Sequence, residues 1–319
     1  MSNKKAVLLM SYGTPYEISD IMGYYTNIRN HHEPPKPLYD ELVSRYKAIG
    51  GTSPLAKISD AQAKGLQAQL DQEFPGEYQV FVGYKYIHPF IQDAVKDILA
   101  AGIKTIYGIP LAPHYSAFNT GDYHARAKEV LVNHGDVTYV EAKSWWQNDD
   151  LIHFWSDQLV ALKPQIDQLD TKVILSAHSL PMSIIDGGDS YRDEVEANMR
   201  TVVKTAGLTP DQYTIAWQSA GRTEQKWIGP DFVTVAQNLI EQDNIKYIIS
   251  ASVGFINDNL EILYDVDIEL KQAIETKGGK LTRLQMPNDD PKLISALKAE
   301  VLKLAKAILI NIIKVKVSQ

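Results

Sequence analysis

The 319-residue chain contains no cysteine. Disulfides, thiolate-held zinc, iron–sulfur clusters and cysteine nucleophiles are therefore excluded, and metal chemistry must use histidine, carboxylate or tyrosine. Basic charge is also short. The 32 Lys and Arg against 39 Asp and Glu leave a net charge of −7, which argues against a nucleic-acid partner. Nowhere do about 18 apolar residues follow one another, so no transmembrane segment is expected. The N-terminal MSNKKAVLLMSYGTP holds an apolar run too short for a secretory signal; it reads as a buried strand, and a cytoplasmic location is the expectation. The apolar C-terminal AILINIIKVKVSQ reads as the end of a packed helix and a tail. No GxxxxGKS or GxxxxGKT is present, no GxGxxG follows a strand, and GxSxG and HEXXH are missing too. Nucleotide binding, the hydrolase elbow and the zincin site thus lose their support.

What is there suffices for one large or two medium domains, since 45% of the residues are apolar. Short apolar runs at 7–10, 80–82, 105–109, 137–140, 173–176, 214–217 and 247–250 predict strands. Amphipathic stretches such as 90–101 and 232–241 lie between them. Strand–helix alternation predicts an α/β fold with parallel sheets. HHEPPKP, within 30–37, cannot be helix or sheet interior.

The chain also repeats itself. VLLMSYGTP aligns with VILSAHSLP, which sets Tyr12 against His178 and Pro15 against Pro181. YQVFVGYK and the helix after Pro89 align likewise with YTIAWQSA and the helix after Pro230. Two similar lobes imply a cleft between them, and in parallel sheets ligands sit beyond the carboxyl ends of the strands. Tyr12, His178 and the segment before Glu261 all follow apolar strands, so the topology points them at one cleft.

His178 closes a strand, while the other histidines sit in polar or loop surroundings. Alone it is as readily a satisfied core residue as a functional one. Glu261, Asp265 and Glu269 stand four apart in GFINDNLEILYDVDIEL. On an α-helix they form one stripe with about 6 Å of rise between neighbours, at a small repulsive cost per pair. Such a stripe is either a solvated face or a track for a cation. Asn257 or Asp258 is the expected N-cap. Leu263, Val266, Leu270 and Ile274 form the expected apolar face, flanked by the stripe. Histidine with carboxylate suits a divalent first-row metal held loosely enough to be released. Tyr12, in the tight turn MSYGTP, is either a packed aromatic or a phenol that hydrogen-bonds or ligates a metal. Arg29, Arg45, Tyr46, Ser53 and Tyr123 form a polar set near the first lobe's opening, and guanidinium forks suit carboxylates.

SYGTP, RYKAIGGTSPLA, VILSAHSLP, WQSAGRTEQKWIGPD and VGFINDNLEILYDVDIEL resemble the ferrochelatases over nearly the whole chain and in family order. The resemblance is greatest to the short, soluble type of Gram-positive bacteria, the coproporphyrin ferrochelatases. It implies two Rossmann-like lobes, each a parallel sheet flanked by helices, with a porphyrin cleft between them. The first lobe would comprise 1–144 plus a returning helix from 283–319, and the second 145–282. It also implies insertion of Fe2+ into coproporphyrin III with loss of two protons. His178 and Glu261 match the catalytic pair at the metal. Asp265 and Glu269 match an accessory acidic row. Tyr12 matches a tyrosine axial to the iron on the opposite porphyrin face. Arg29, Arg45, Tyr46, Ser53 and Tyr123 match positions that contact the macrocycle and its propionates. Iron is then a substrate, with no tightly bound cofactor and no Fe–S cluster; an accessory site would take Mg2+. A monomer in transient contact with neighbouring haem-pathway enzymes is implied. The chain departs from the family pattern at Asn30 (NIRN for HIRR), at Asn259 (DNLE for DHLE) and at Tyr86 and His88 (YKYIHP for LKHIEP). Protoporphyrin IX as substrate, a carrier that inserts nothing, and a chelatase for another metal or tetrapyrrole are the competing readings.

Overall fold

The computed structural model describes residues 4–221 and 224–317; Ser318 and Gln319, part of the expected tail, lie outside them. Strands β1 (Lys5–Ser11), β2 (Tyr78–Tyr84), β3 (Thr105–Pro110) and β4 (Thr138–Glu141) form one parallel sheet in the order β2-β1-β3-β4. Strands β5 (Thr171–His178), β6 (Tyr213–Gln218), β7 (Tyr247–Ala251) and β8 (Lys280–Arg283) form a second in the order β6-β5-β7-β8. The two orders are the same, so the internal repeat is a repeat of topology. Even the turn after the second strand of each lobe is shared. Tyr84 donates its backbone N–H to the Pro89 carbonyl at 2.9 Å, and Trp217 donates to Pro230 at 2.8 Å.

Seven strands fall on the apolar runs of the sequence. β8 has no such run, because KLTR is an edge strand with alternating exposure and pairs only with β7. Central β1 is apolar on both faces because helices cover both. Val7 and Leu9 enter a core shared by the two lobes, while Ala6, Leu8 and Met10 enter a separate core beneath the helices Ile91–Ala100 and Thr120–Leu131. The shared core also takes Val173 and Leu175 of β5. The last helix, Pro291–Val317, lies against Leu55–Glu73 of the first lobe and Asp149–Ala161 of the second. Among the described residues no helix is long and apolar enough to cross a membrane.

Leu175 is fully buried on the central strand of the second sheet, whereas Leu169 is 99% exposed. Leu175→Ala should cost about 2–5 kcal/mol in urea unfolding. Leu169→Ala should stay within about 0.5 kcal/mol. Equal losses at the two sites would contradict this packing.

Candidate active site

β5 ends on His178, and its neighbour β7 feeds the segment that leads to Glu261. The chain after β7 must pass close to β5 to get there. Gly254 donates its N–H to the Ser176 carbonyl at 3.1 Å, and a Cβ there would lie 2.3 Å from that of Ala177. Only glycine allows this approach, which brings the two segments side by side. On the first lobe, β1 ends at Ser11 and Tyr12 follows. Gly13, with φ +89°, turns the chain where a Cβ would meet Ile87 at 2.7 Å.

These strand ends enclose a cavity of about 310 Å³ between the lobes. Tyr12, Tyr46, Ser53, Tyr123, His178 and Glu261 all line it. Six of the ten candidate residues therefore converge. Arg29, Arg45, Asp265 and Glu269 do not line it. Arg29 ends the helix Ile21–Ile28 beside the cavity-lining Ile28, and its buried Nε has no partner. Arg45 crosses the lobe boundary to Asp265 (3.5 Å), also pairs with Glu41 (3.1 Å), and stacks over Tyr264.

The half-buried His178 ring is oriented by its neighbour's backbone. Nδ1 lies 2.5 Å from the Ser179 carbonyl oxygen, which can only accept. In the neutral ring Nδ1 therefore carries the proton, and Nε2 is left as a free lone pair. Tyr191 donates its hydroxyl to the His178 carbonyl at 3.0 Å and holds the strand end from behind.

Facing it from the first lobe are phenols that stay neutral. Burial holds Tyr12 well above its ordinary range, with Tyr86 and Glu261 adding to the rise. Burial likewise raises Tyr24 and Tyr123, and Tyr46 to about 12. The Glu261 charge contributes at all four. The cleft thus sets hydrogen-bond donors on one wall against a base and a carboxylate on the other.

The carboxylate stripe is real, but its helix differs from expectation. Ile262–Leu270 winds as a π-helix. Ile262, Val266, Leu270 and Ile274 recur every four residues and all are buried, the last of them on the α-helical turn Lys271–Thr276 that follows. On an α-helix each four-residue step overshoots a full turn by about 40°. The wider i→i+5 winding turns less per residue, so each step falls short of a full turn instead. Ile262 replaces the half-buried Leu263 in the expected face, and Asp265 lies within the face itself. The N-cap is Asn259, whose Oδ1 accepts from the Ile262 N–H at 2.9 Å. Asn257 and Asp258 are engaged elsewhere, with Gln62 of the first lobe and with Arg283.

Along the stripe, Glu261 is half-buried at the cavity, Asp265 is 4% exposed and Glu269 is exposed. Desolvation pushes Asp265 up to about 7, against the lowering effect of the Ser219 hydroxyl that donates to it; Glu261 raises it, Arg45 lowers it and Glu269 raises it. The row thus runs from the cavity to the surface through a carboxyl group that titrates near neutrality. Among the described residues no cluster of three or more metal-ligating side chains is preassembled.

Several site residues were missed in the sequence. Ser219 follows β6 as Tyr12 follows β1, so the same strand-end logic identifies it. The expectation that histidines other than His178 sit in polar or loop surroundings holds for His114, in the loop after β3, and fails at His124, inside the helix Thr120–Leu131; both are buried, at 3% and 2% exposed. His114 lines the cavity; burial lowers it to about 4, and Asn198 at 3.1 Å orients it. Lys85 is buried in the cavity wall, 3.0 Å from Asp122. Tyr86 lines the cavity beside it and meets Tyr12 edge-on at 4.7 Å, whereas His88 is exposed and pairs with Asp93.

The sequence profile of the family described as Ferrochelatase matches residues 4–304. Coproporphyrin III ferrochelatase of Geobacillus thermodenitrificans is 42% identical over 306 residues, covering 94% of this chain and 96% of the relative. That of Bacillus subtilis is 38% identical, covering 95% and 99%. In fold the chain resembles SirB from Bacillus subtilis (TM-score 0.59, 13% identity, 95% and 96% covered). It also resembles CbiX, described as the terminal enzyme of siroheme biosynthesis in denitrifying bacteria (0.52, 12%, 94% and 99%).

Asp265 titrates near 3.8 in an unfolded chain and near 7 here, so the fold favours its protonated form. Its contribution to stability is full below about pH 4 and is lost as pH rises through about 7. Urea unfolding should therefore show a smaller loss of stability between about pH 5 and 8 in Asp265→Asn than in the parent. Matching pH slopes would contradict the assignment.

Proposed function

The chain belongs to the ferrochelatase family of metal-inserting lyases, and from that premise we propose that it inserts Fe2+ into coproporphyrin III. Insertion exchanges two pyrrole N–H bonds for bonds to iron and releases two protons. The observation that carries this reading is the locked His178 tautomer. With Nδ1–H committed, Nε2 is its free base, and His178 lines the same cavity as Glu261 and the neutral phenols.

A pyrrole N–H needs an acceptor, and Nε2 is free to take the proton because Nδ1–H is committed to Ser179. Glu261 supplies an oxygen donor to the incoming Fe2+, the substrate metal, while its water is stripped. Asp265, near its midpoint at neutral pH, takes a proton at little cost and passes it toward the exposed Glu269. Tyr12, held protonated, meets the opposite face of the ring as a hydrogen-bond donor, and bound iron must displace its proton before the phenolate ligates.

Coproporphyrin carries four carboxylates against two for protoporphyrin. Groups around the cavity suit them: the unpartnered Nε of Arg29, the buried ammonium of Lys85, and the Ser53 and Tyr46 hydroxyls. Tyr123 contributes wall. Arg45 answers Asp265, so its part is to hold the acidic row as well as to meet a propionate. Iron enters as substrate and no resident cofactor is required; Mg2+ is the ion proposed for an accessory site on the Asp265–Glu269 end. The proposed setting is a cytoplasmic monomer that meets its pathway neighbours transiently.

Anaerobic mixing of protein, coproporphyrin III and Fe2+, followed through the porphyrin absorption bands, tests the assignment. His178→Ala should slow turnover by about 10²–10⁴-fold, the usual range for a lost acid–base group. Normal turnover in that variant would refute it.

A further inference from the structure

Arg283 closes β8, on the far side of the second sheet from β6, and its guanidinium reaches both the acidic helix and the segment just before it. Nε donates to Oδ1 of Asp267 at 2.6 Å, inside the π-helix, while Nη1 lies 3.2 Å from Oδ1 of Asp258, just ahead of it, as an ion pair without a hydrogen bond, its own donation going to the Leu284 carbonyl at 3.3 Å. Glu261 and Asp265 lie between these two anchors in the chain. One side chain thus joins the segment that leads into the helix to a residue inside its π-wound stretch.

Asp258 is fixed a second time. Its Oδ2 accepts from Asn288 Nδ2 and its N–H donates to Asn288 Oδ1, both at 2.8 Å. Asn288 in turn offers its carbonyl to Gln62 of the first lobe at 2.6 Å. The stretch that delivers Glu261 is thereby tied to both lobes, and Arg283 is the member that also grips the helix beyond Asp265.

We infer that Arg283 is a positioning residue for metal handling: by bridging Asp258 and Asp267 it holds the π-winding and so sets where Glu261 and Asp265 present their oxygens. It touches neither the cavity nor the porphyrin site. A guanidinium suits this place, because its spread charge donates to Asp267 through one nitrogen while another lies against Asp258. Asp258 and Asp267 are thereby assigned as anchors, separate from the acidic row that meets the metal.

The inference rests on the insertion reading, and steady-state assays with coproporphyrin III and Fe2+ under anaerobic conditions separate the two. If the unmodified protein inserts no iron, the insertion reading fails first. If it does, Arg283→Met should raise KM for Fe2+ by about 10–100-fold, the usual effect of losing an outer support of a metal ligand. Porphyrin Kd, from fluorescence titration, should stay within about twofold, since Arg283 does not line the cavity. Arg283→Lys and Asp267→Asn should raise the iron KM less and in the same direction; they carry the test if Arg283→Met does not fold. An unchanged iron KM in the folded variants, or a porphyrin Kd that weakens by the same factor, would overturn the inference.

Discussion

Asp265 sits almost wholly out of water between Glu261 and Glu269, and burying charge there is costly unless something answers it. Three answers surround it. The Ser219 hydroxyl donates from the end of β6, Arg45 reaches across from the first lobe, and the group gives up its charge readily because its midpoint lies near 7. Each ties a different part of the molecule to one carboxyl group. The strand end fixes the second sheet against the helix, and Arg45 fixes the first lobe against the second. The raised midpoint makes a structural cost useful, since a carboxyl group that is half charged at neutral pH can accept a proton and release it again.

The helix that carries Asp265 is π-wound from Ile262 to Leu270. Ile262, Val266 and Leu270 sit in the core along it while the carboxylates form a row from cavity to surface. The repeated lobe supplies the opposite wall. Where the second lobe ends a strand on a histidine, the first ends the matching strand before Tyr12, and burial keeps that phenol protonated. One topology used twice thus sets a proton acceptor against a row of proton donors.

Most of this architecture was legible in the chain. Seven of eight strands stand as apolar runs, and the repeat pairs Tyr12 with His178 on the correct strand ends. The cavity gathers six of the ten residues singled out. What was not legible shares a cause: it depends on partners distant in sequence. KLTR has no apolar run, because an edge strand is recognised only by its neighbour. Asn259 caps the helix because Asn257 and Asp258 are claimed by Gln62, Asn288 and Arg283. The buried His114 and Lys85 were not singled out, because burial there depends on distant partners such as Asn198 and Asp122. The carboxylate stripe was legible, but it was read on the commoner α-helix.

The central claim is that Glu261 serves metal insertion and not the holding of a tetrapyrrole. Glu261→Gln keeps the side chain's shape and removes its charge, so one measurement separates the two roles. Coproporphyrin III affinity and the rate of Fe2+ insertion are determined on the same preparation. The account predicts that binding stays near the parent value while insertion falls steeply. A parallel loss of both would contradict it and would favour a carrier.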